Sequence, residues 1–251
     1  MTVHRFYIPP EEWDPTALVF RGREAYHARN VLRLKRGDKV VLFNGRGRES
    51  TGEIVDLGRD EIHLRKLSEN MTPPLRCHIA LGQAIPKGKN MELIVQKAVE
   101  LGAAEIIPLI SARTVVDLDV KEARRKQAKW QTVAIEAAKQ CGQNWLPRVH
   151  PPRTTKDFFT VALSQPFELS LIGSLQPGAV HLKKVLADFS NEHQHLPKRV
   201  LMLIGPEGDF TPAELALARS QGSQPITLGP IVLRVETAAL YCLSVLSYEL
   251  F

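Results

Sequence analysis

Two stretches late in the chain bring together residue types from which a binding site can be built, "LIGPEGDF" at 203–210 and "LGPIVLRVETA" at 228–238. Each begins at a strand ending and turns through Gly-Pro. Gly205, Gly208 and Gly229 let backbone amides and carbonyls approach a ligand closely, since no Cβ intervenes. Beyond the second turn, Arg234 and Glu236 stand at the mouth of the most hydrophobic helix of the chain, "AALYCLSVLSYELF" at 238–251. A guanidinium presents a planar fork of donors that can grip a phosphate or an oxyanion. A carboxylate in a first helical turn is favoured by the positive end of the helix, so Glu236 has a dipole-capping role, or a pairing with Arg234, available besides any catalytic one. Either Gly-Pro turn alone is ordinary turn chemistry. Two of them at the carboxyl ends of successive strands predict the crevice in which open α/β sheets bind their ligands.

Other chemistries lack their residues. "GQAIPKGK" at 82–89 has five residues between its glycines and Asn90 after Lys89, which a phosphate-binding P-loop does not tolerate. "GRGRES" at 45–50 lacks the third glycine of a dinucleotide fingerprint. The eight histidines are scattered with no H-E-x-x-H, so no metal is expected, and no G-x-S-x-G elbow supports a serine hydrolase. Cys77, Cys141 and Cys242 are far apart, without a C-x-x-C, and are expected to be reduced, packed thiols.

The elements that must carry these loops change character near "MTPPLRCH". Before it, "KVVLFN" (39–44), "RESTGEIVDLG" (48–58) and "EIHLRKL" (61–67) read as short strands separated by Gly and Asp, which predicts a small all-β unit over residues 1–72. Pro73 and Pro74 form a stiff linker. After it, strands at 77–85, 104–110, 168–173 and 199–205 alternate with helices at 89–102, 121–141 and 211–222, which predicts an α/β unit over 73–251 with a mostly parallel sheet. Thr211, Pro212 and Glu214 write the last of these helix starts as N-cap, first helical residue and capping box.

Charge points to a polyanionic partner. Between Arg21 and Arg48 nine basic residues face only Glu24 and Asp38, a local net of +7 against +6 for the whole chain. "KEARRKQAKW" at 121–130 adds five basic residues and one acid. Such clusters displace counterions from phosphates and are the usual footprint of nucleic-acid binding. Apolar residues at 44% and charged residues at 24% are those of a globular protein. No run approaches 18 uninterrupted apolar residues and the N-terminus does not resemble a secretion signal, so neither a membrane nor an exported location is expected; the reading is cytoplasmic.

In chain order, "HARNVLRLKRGD", "PKGKNMELIVQKAVELGA", "IEAAKQCG", "IGPEGDFTPAE" and "LGPIVLRVETAA" resemble the ribosomal small-subunit RNA uracil-N3 methyltransferase family, within the SPOUT class. The two Gly-Pro loops are the specific part. The resemblance implies a PUA-like β-barrel followed by an α/β domain with a C-terminal trefoil knot, although chains in general do not thread their own loops. It implies S-adenosyl-L-methionine as cofactor, a uridine of 16S ribosomal RNA or of the small ribosomal subunit as substrate, and a homodimer formed through the knot. A related knotted methyltransferase for another RNA base, and a noncatalytic RNA-binding or ribosome-assembly protein, stay open as alternatives.

Roles follow residue by residue. The cofactor would be held by Leu203, Ile204, Gly205, Gly208, Leu228, Gly229, Leu233, Thr237 and Ala238. Arg234 would stabilise charge on the uracil oxygens or grip a phosphate, and Glu207 would take the N3 proton, hold the cofactor or cap the following turn. Arg5, His27, Arg29, Arg33, Lys35, Arg36, Lys87 and Lys89 would face RNA; His27 has a local hydrogen-bonding role as its competitor. The chain departs from the family pattern at Asp209, where a second glycine is expected, at Gln143 and Ile231, where arginines are expected, and at Val235. An Asp tolerates left-handed backbone better than most residues, so the turn at 209 is expected to survive.

Overall fold

The alternating runs between Lys39 and Met71 form strands because one face of each buries aliphatic side chains while the other stays polar. In the computed structural model, which describes residues 3–114, 118–160 and 166–251, the chain packs as two units, Met1–Pro74 with Ile135–Leu146, and Leu75–Ala134 with Pro147–Phe251.

The first unit contains β1 (His4–Tyr7), β2 (Leu18–Arg21), the short helix α1 (Gly22–Tyr26), β3 (Lys39–Phe43), β4 (Arg48–Leu57) and β5 (Glu61–Met71). The strands form one sheet in the order β1-β3-β4-β5-β2, antiparallel except for the β1–β3 pair. The sheet curls. Phe6 of β1 and Phe20 of β2, on its two edge strands, stack with ring centroids 4.6 Å apart inside a core that includes Val40, Leu42, Ile54 and Ile62. Residues 135–146 join this unit through polar contacts: Asn144 bonds Arg5, Glu49 and Thr72, and Lys139 pairs with Glu24 at 3.1 Å. Burial raises the pKa of Glu24, and the Lys139 charge opposes that. At Gly47 (φ +87°) any Cβ would lie 2.5 Å from the Thr72 carbonyl oxygen, which only glycine allows.

The second unit contains β6 (His78–Ala84), α2 (Asn90–Glu100), β7 (Glu105–Ile110), α3 (Val120–Cys141, whose last turns belong to the first unit), β8 (Arg148–Val149), β9 (Arg153–Thr154), α4 (Thr155–Thr160), β10 (Leu169–Gly173), β11 (Val180–His181), α5 (Leu182–His193), β12 (Arg199–Ile204), α6 (Pro212–Ser220), β13 (Ser223–Thr227) and α7 (Val235–Leu250). Its sheet is parallel in the order β11-β13-β10-β12-β6-β7-β8, with β9 also pairing with β7. β6 and β12 are buried along nearly their whole length, as expected for strands covered on both faces. Ala80, Ile107, Leu201 and Leu203 meet Phe158, Phe210, Leu215 and Ala218 in one cluster. The alternate residues Ile79, Leu81, Ile106, Val200 and Met202 are equally buried, and the pleat turns them to the other face, where α7 packs on α2, β6 and β12.

Candidate functional site

The strand order places β10 between β12 and β13, so the two Gly-Pro loops are not next-door neighbours as successive strands would suggest. The chain inserts β10 before it makes β12, and the loop after β10 fills the gap. Three loops, 174–179, 205–211 and 228–234, therefore meet at the carboxyl ends of three parallel strands. They surround a cavity of about 480 Å³, closed by the first turns of α2 and α7.

Of the residues expected to hold a cofactor, Ile204, Gly205, Leu228, Gly229, Leu233 and Ala238 line this cavity, as do Glu207 and Arg234. Leu203 lies beneath it, fully buried, packed where Gly82 leaves space for its side chain. Gly208 points elsewhere: its carbonyl accepts a hydrogen bond from the Arg113 guanidinium. Thr237 is exposed on α7 and is not among the lining residues. The lining also includes Ser174 and Leu175 after β10, Asn90 at the start of α2, Asp209, Ile231 and Val232. The signal for the third loop was present in "ELSLIG", another strand ending in glycine.

Each loop is held by its own chemistry. After β12 the chain turns at Pro206, whose carbonyl accepts the Asp209 N–H at 2.9 Å, and Asp209 sits in the left-handed region at φ +61°. The expected capping box is formed: the Thr211 hydroxyl accepts the Glu214 N–H and the Glu214 carboxylate accepts the Thr211 N–H. Glu214 is only 8% exposed and also accepts the Ala112 N–H at 2.9 Å and the Thr155 hydroxyl at 2.8 Å. Burial pushes its pKa up, yet these donors together hold it below the usual carboxylate range. After β13 the turn uses Gly229 at φ +111°, a conformation that L side chains rarely adopt.

The charged residues around the cavity divide by role. Glu207 accepts the backbone N–H of Lys87 at 2.9 Å, and Glu236 accepts the Asn90 amide at 3.1 Å. Arg234 is the N-cap residue of α7, with extended backbone (φ −64°, ψ 155°); its carbonyl accepts the Ala238 N–H at 2.8 Å while its side chain makes no capping bond and is exposed. Glu207, Asp209 and Glu236 against one guanidinium give the cavity lining a formal charge of −2. Asp209 anchors the site in a second way, through Oδ1 to the Phe210 N–H at 2.7 Å and Oδ2 to the Leu175 N–H at 3.2 Å.

Among the basic residues expected to face RNA, Arg29, Arg33, Lys35 and Arg36 are exposed on the first unit, with Arg33 left-handed at φ +54° and the Lys35 N–H held by Asp38 at 2.7 Å. His27 is half-buried. Arg5 is turned inward instead, its side chain 15% exposed, paired with Glu49 at 3.0 Å and stacked on Phe43, because the Glu49 carboxylate and the Asn144 amide oxygen satisfy its guanidinium there. Lys87 and Lys89 are exposed on the turn after β6, in the second unit. Gln143, in place of an arginine, accepts the Trp145 N–H. Burial pushes the Cys77 and Cys242 thiols up to about 12, which makes them inert packing groups, whereas Cys141 is exposed rather than packed. No group of three or more His, Cys, Asp or Glu suited to a metal occurs among the described residues, and no helix there is long and apolar enough to cross a membrane.

Comparison with known proteins agrees with this geometry. Residues 73–247 match the RNA methyltransferase domain and residues 20–67 the RNA methyltransferase PUA domain. A Bacillus subtilis protein named ribosomal RNA small subunit methyltransferase E is 34% identical over 91% of this chain and 88% of its own. A Legionella pneumophila methyltransferase structure, described as in complex with the bound cofactor SAM, superposes with a TM-score of 0.86 at 32% identity, covering 99% of this chain and 98% of the other. A Neisseria gonorrhoeae ribosomal RNA small subunit methyltransferase E, bound to S-adenosyl methionine, gives a TM-score of 0.84 at 29% identity over 99% and 98% of the two chains. An RNA methyltransferase domain over most of its length, a PUA domain before it and relatives matched nearly end to end place this chain in the ribosomal RNA small subunit methyltransferase E family.

Proposed function

We propose that this protein transfers a methyl group from S-adenosylmethionine to N3 of a uridine in 16S ribosomal RNA, with the three-loop cavity of the second unit as its cofactor site. The observation that carries this reading is the cavity itself. At about 480 Å³ it is of the size that small-molecule cofactors occupy. Its lining carries a formal −2, complementary to a ligand whose sulfonium and ammonium outnumber its single carboxylate. Gly205 and Gly229 keep its walls free of side chains where the backbone must come close. Relatives at 32% and 29% identity carry that cofactor.

S-adenosylmethionine supplies a methyl group that its sulfonium already makes electrophilic. What remains for the protein is alignment and one proton. The N3 lone pair of uracil forms the new N–C bond as the S–C bond breaks with its electron pair returning to sulfur, and the N3 proton must leave. We assign that proton to Glu207, one of whose oxygens accepts the Lys87 N–H while the other has no partner among the described residues. Arg234, exposed at the cavity rim, offers its guanidinium to the charge that spreads over the uracil oxygens on deprotonation. Arg29, Arg33, Lys35 and Arg36 on the first unit, and Lys87 and Lys89 on the second, present cations to the phosphates that position the substrate.

The reading extends to a knot and a dimer. After β13, which lies beyond β10, the chain returns through 228–234 to place α7 on β12 and β6 in the middle of the sheet, a return that supports the reading of a trefoil threading. Tyr241 and Tyr248, seven residues apart on one face of α7 and 39% and 87% exposed, together with the exposed Ile231 and Val232, supply an apolar surface for a second copy. Such an enzyme works in the cytoplasm, where small subunits assemble. The deciding experiment incubates the protein with labelled S-adenosylmethionine and unmodified small ribosomal subunits and identifies the product nucleoside by mass spectrometry. N3-methyluridine in 16S RNA is the expected product; label on a different base overturns the uracil assignment, and no label overturns the activity.

A further inference from the structure

We propose that Asp209 is a positioning residue of the cofactor site, a tie between two of its loops that a glycine at this place in the turn would not provide. The inference rests on the reading of the cavity as the S-adenosylmethionine site.

The loop after β10 has three consecutive amides with three different partners. The Ser174 N–H bonds the Ile226 carbonyl of β13 at 3.0 Å, and the Gln176 N–H bonds the Ser174 hydroxyl at 3.1 Å. Between them the Leu175 N–H bonds Oδ2 of Asp209 at 3.2 Å. The first links this loop to the strand that precedes the Gly229 turn, and the second is internal to it. Among these three, then, the loop after β10 is linked to the loop after β12 through Asp209 alone. Leu175 is 63% exposed, so apolar packing does little to hold this segment.

Asp209 is itself immobilised at both ends. Its backbone turns at φ +61° with its N–H on the Pro206 carbonyl, and Oδ1 bonds the next N–H, that of Phe210, whose ring is 2% exposed in the core. A carboxylate fixed in this way is an acceptor of set direction. The same group borders Gly205, where the nearest Asp209 oxygen would lie 3.3 Å from an added Cβ, and it lines the cavity with Leu175. Asp209 therefore sets the separation of two cavity walls without needing to touch the reacting atoms.

Two substitutions keep the left-handed turn and separate the tie from mere foldability. Asp209→Gly removes both side-chain bonds. Asp209→Asn retains one acceptor oxygen and the tolerance for positive φ, and loses the second acceptor. Loss of a charge-assisted bond predicts that both weaken S-adenosylmethionine binding about tenfold by calorimetry, and that KM for the cofactor rises more than kcat falls. The melting temperature without cofactor is expected to stay within about 3 °C of wild type, a shift of order 1 kcal/mol for a chain of this size. Wild-type affinity in both variants overturns the proposal, as does a loss of affinity that only parallels a collapse in melting temperature. Failure of the wild-type protein to bind S-adenosylmethionine overturns the cofactor reading beneath it, a result visible before any variant is made.

Discussion

The carboxylate of Glu207 and the backbone N–H of Lys87 are joined by a 2.9 Å hydrogen bond across 120 residues of chain, so the turn after β6 is tied to the loop after β12, which lines the cavity. A glutamine at 207 can accept the same N–H through its amide oxygen but cannot take a proton. Glu207→Gln is therefore expected to lower kcat by about 100-fold or more, the usual scale for a lost general base, with cofactor affinity changed by less than about threefold. Single-turnover rates and calorimetry measure the two effects. A kcat within a few-fold of wild type would assign Glu207 to holding the loop alone.

Arg234 is the converse case, a side chain with no hydrogen-bond or ionic partner among the described residues. Its N-cap role is carried by the backbone, and the side chain makes no capping bond. Arg234→Ala is expected to reduce methyl transfer by about 100-fold, as removal of an oxyanion-stabilising donor does, while the melting temperature moves by no more than an exposed surface substitution allows, about 0.5 kcal/mol in stability. Wild-type turnover in this variant removes the assigned role.

How far these assignments were legible in the sequence depends on how local their causes are. The capping box at Thr211 and Glu214 involves residues three apart and was read directly. The buried runs of β6, β7, β10 and β12 carried their own signal in apolar content. β13, "SQPIT", holds a proline and three polar residues, so that only its end before the second Gly-Pro turn was legible; its place beside β10 is set by tertiary contacts. The third loop of the cavity was missed although "ELSLIG" shows a strand ending in glycine. Its members, Ser174 and Leu175, become site residues only when β10 is inserted between β12 and β13. Arg5 is expected by resemblance to face RNA, and a sequence does not show the Glu49 and Asn144 acceptors, 44 and 139 residues away, that hold it inside the first unit. The left-handed backbone at Asp209 was anticipated from side-chain type, but its bond to Leu175 was not.

The basic segment of the first unit can be tested by charge removal if the variants respect its backbone. Arg33 is left-handed, so asparagine replaces it with less strain than alanine would. Arg33→Asn with Lys35→Gln and Arg36→Gln should weaken binding to small-subunit RNA and reduce the slope of log K against log salt by about 2, since each neutralised phosphate contributes about 0.7–0.9. Filter binding at several salt concentrations gives the slope. An unchanged slope would take this face away from the RNA.

At the opposite ends of the strands from the cavity, Glu105 at the start of β7 receives His150 Nε2 and His78 Nε2 on separate oxygens, each at 2.7 Å, with Arg199 4.0 Å away. The bond from His150, then that from His78, holds the Glu105 carboxyl well below its ordinary value of 4.5, against the opposing effect of burial. A carboxylate with a depressed pKa in the folded state releases its proton more readily there than in the unfolded chain. Its stabilisation is therefore complete above about pH 4.5 and disappears as the pH falls toward the folded-state value. Glu105→Gln keeps the size of the side chain and abolishes the charge. At pH 7 it should cost about 1.5–3 kcal/mol, the range for hydrogen bonds to a charged group, or several degrees in melting temperature for a chain of this length. Between pH 5 and pH 3 the wild-type melting temperature should fall toward that of the variant, so that the two curves converge on the acid side. Parallel curves over that interval would show that this cluster does not contribute to acid stability, while methyl transfer at pH 7 reports separately on the proposed site at the other end of the sheet.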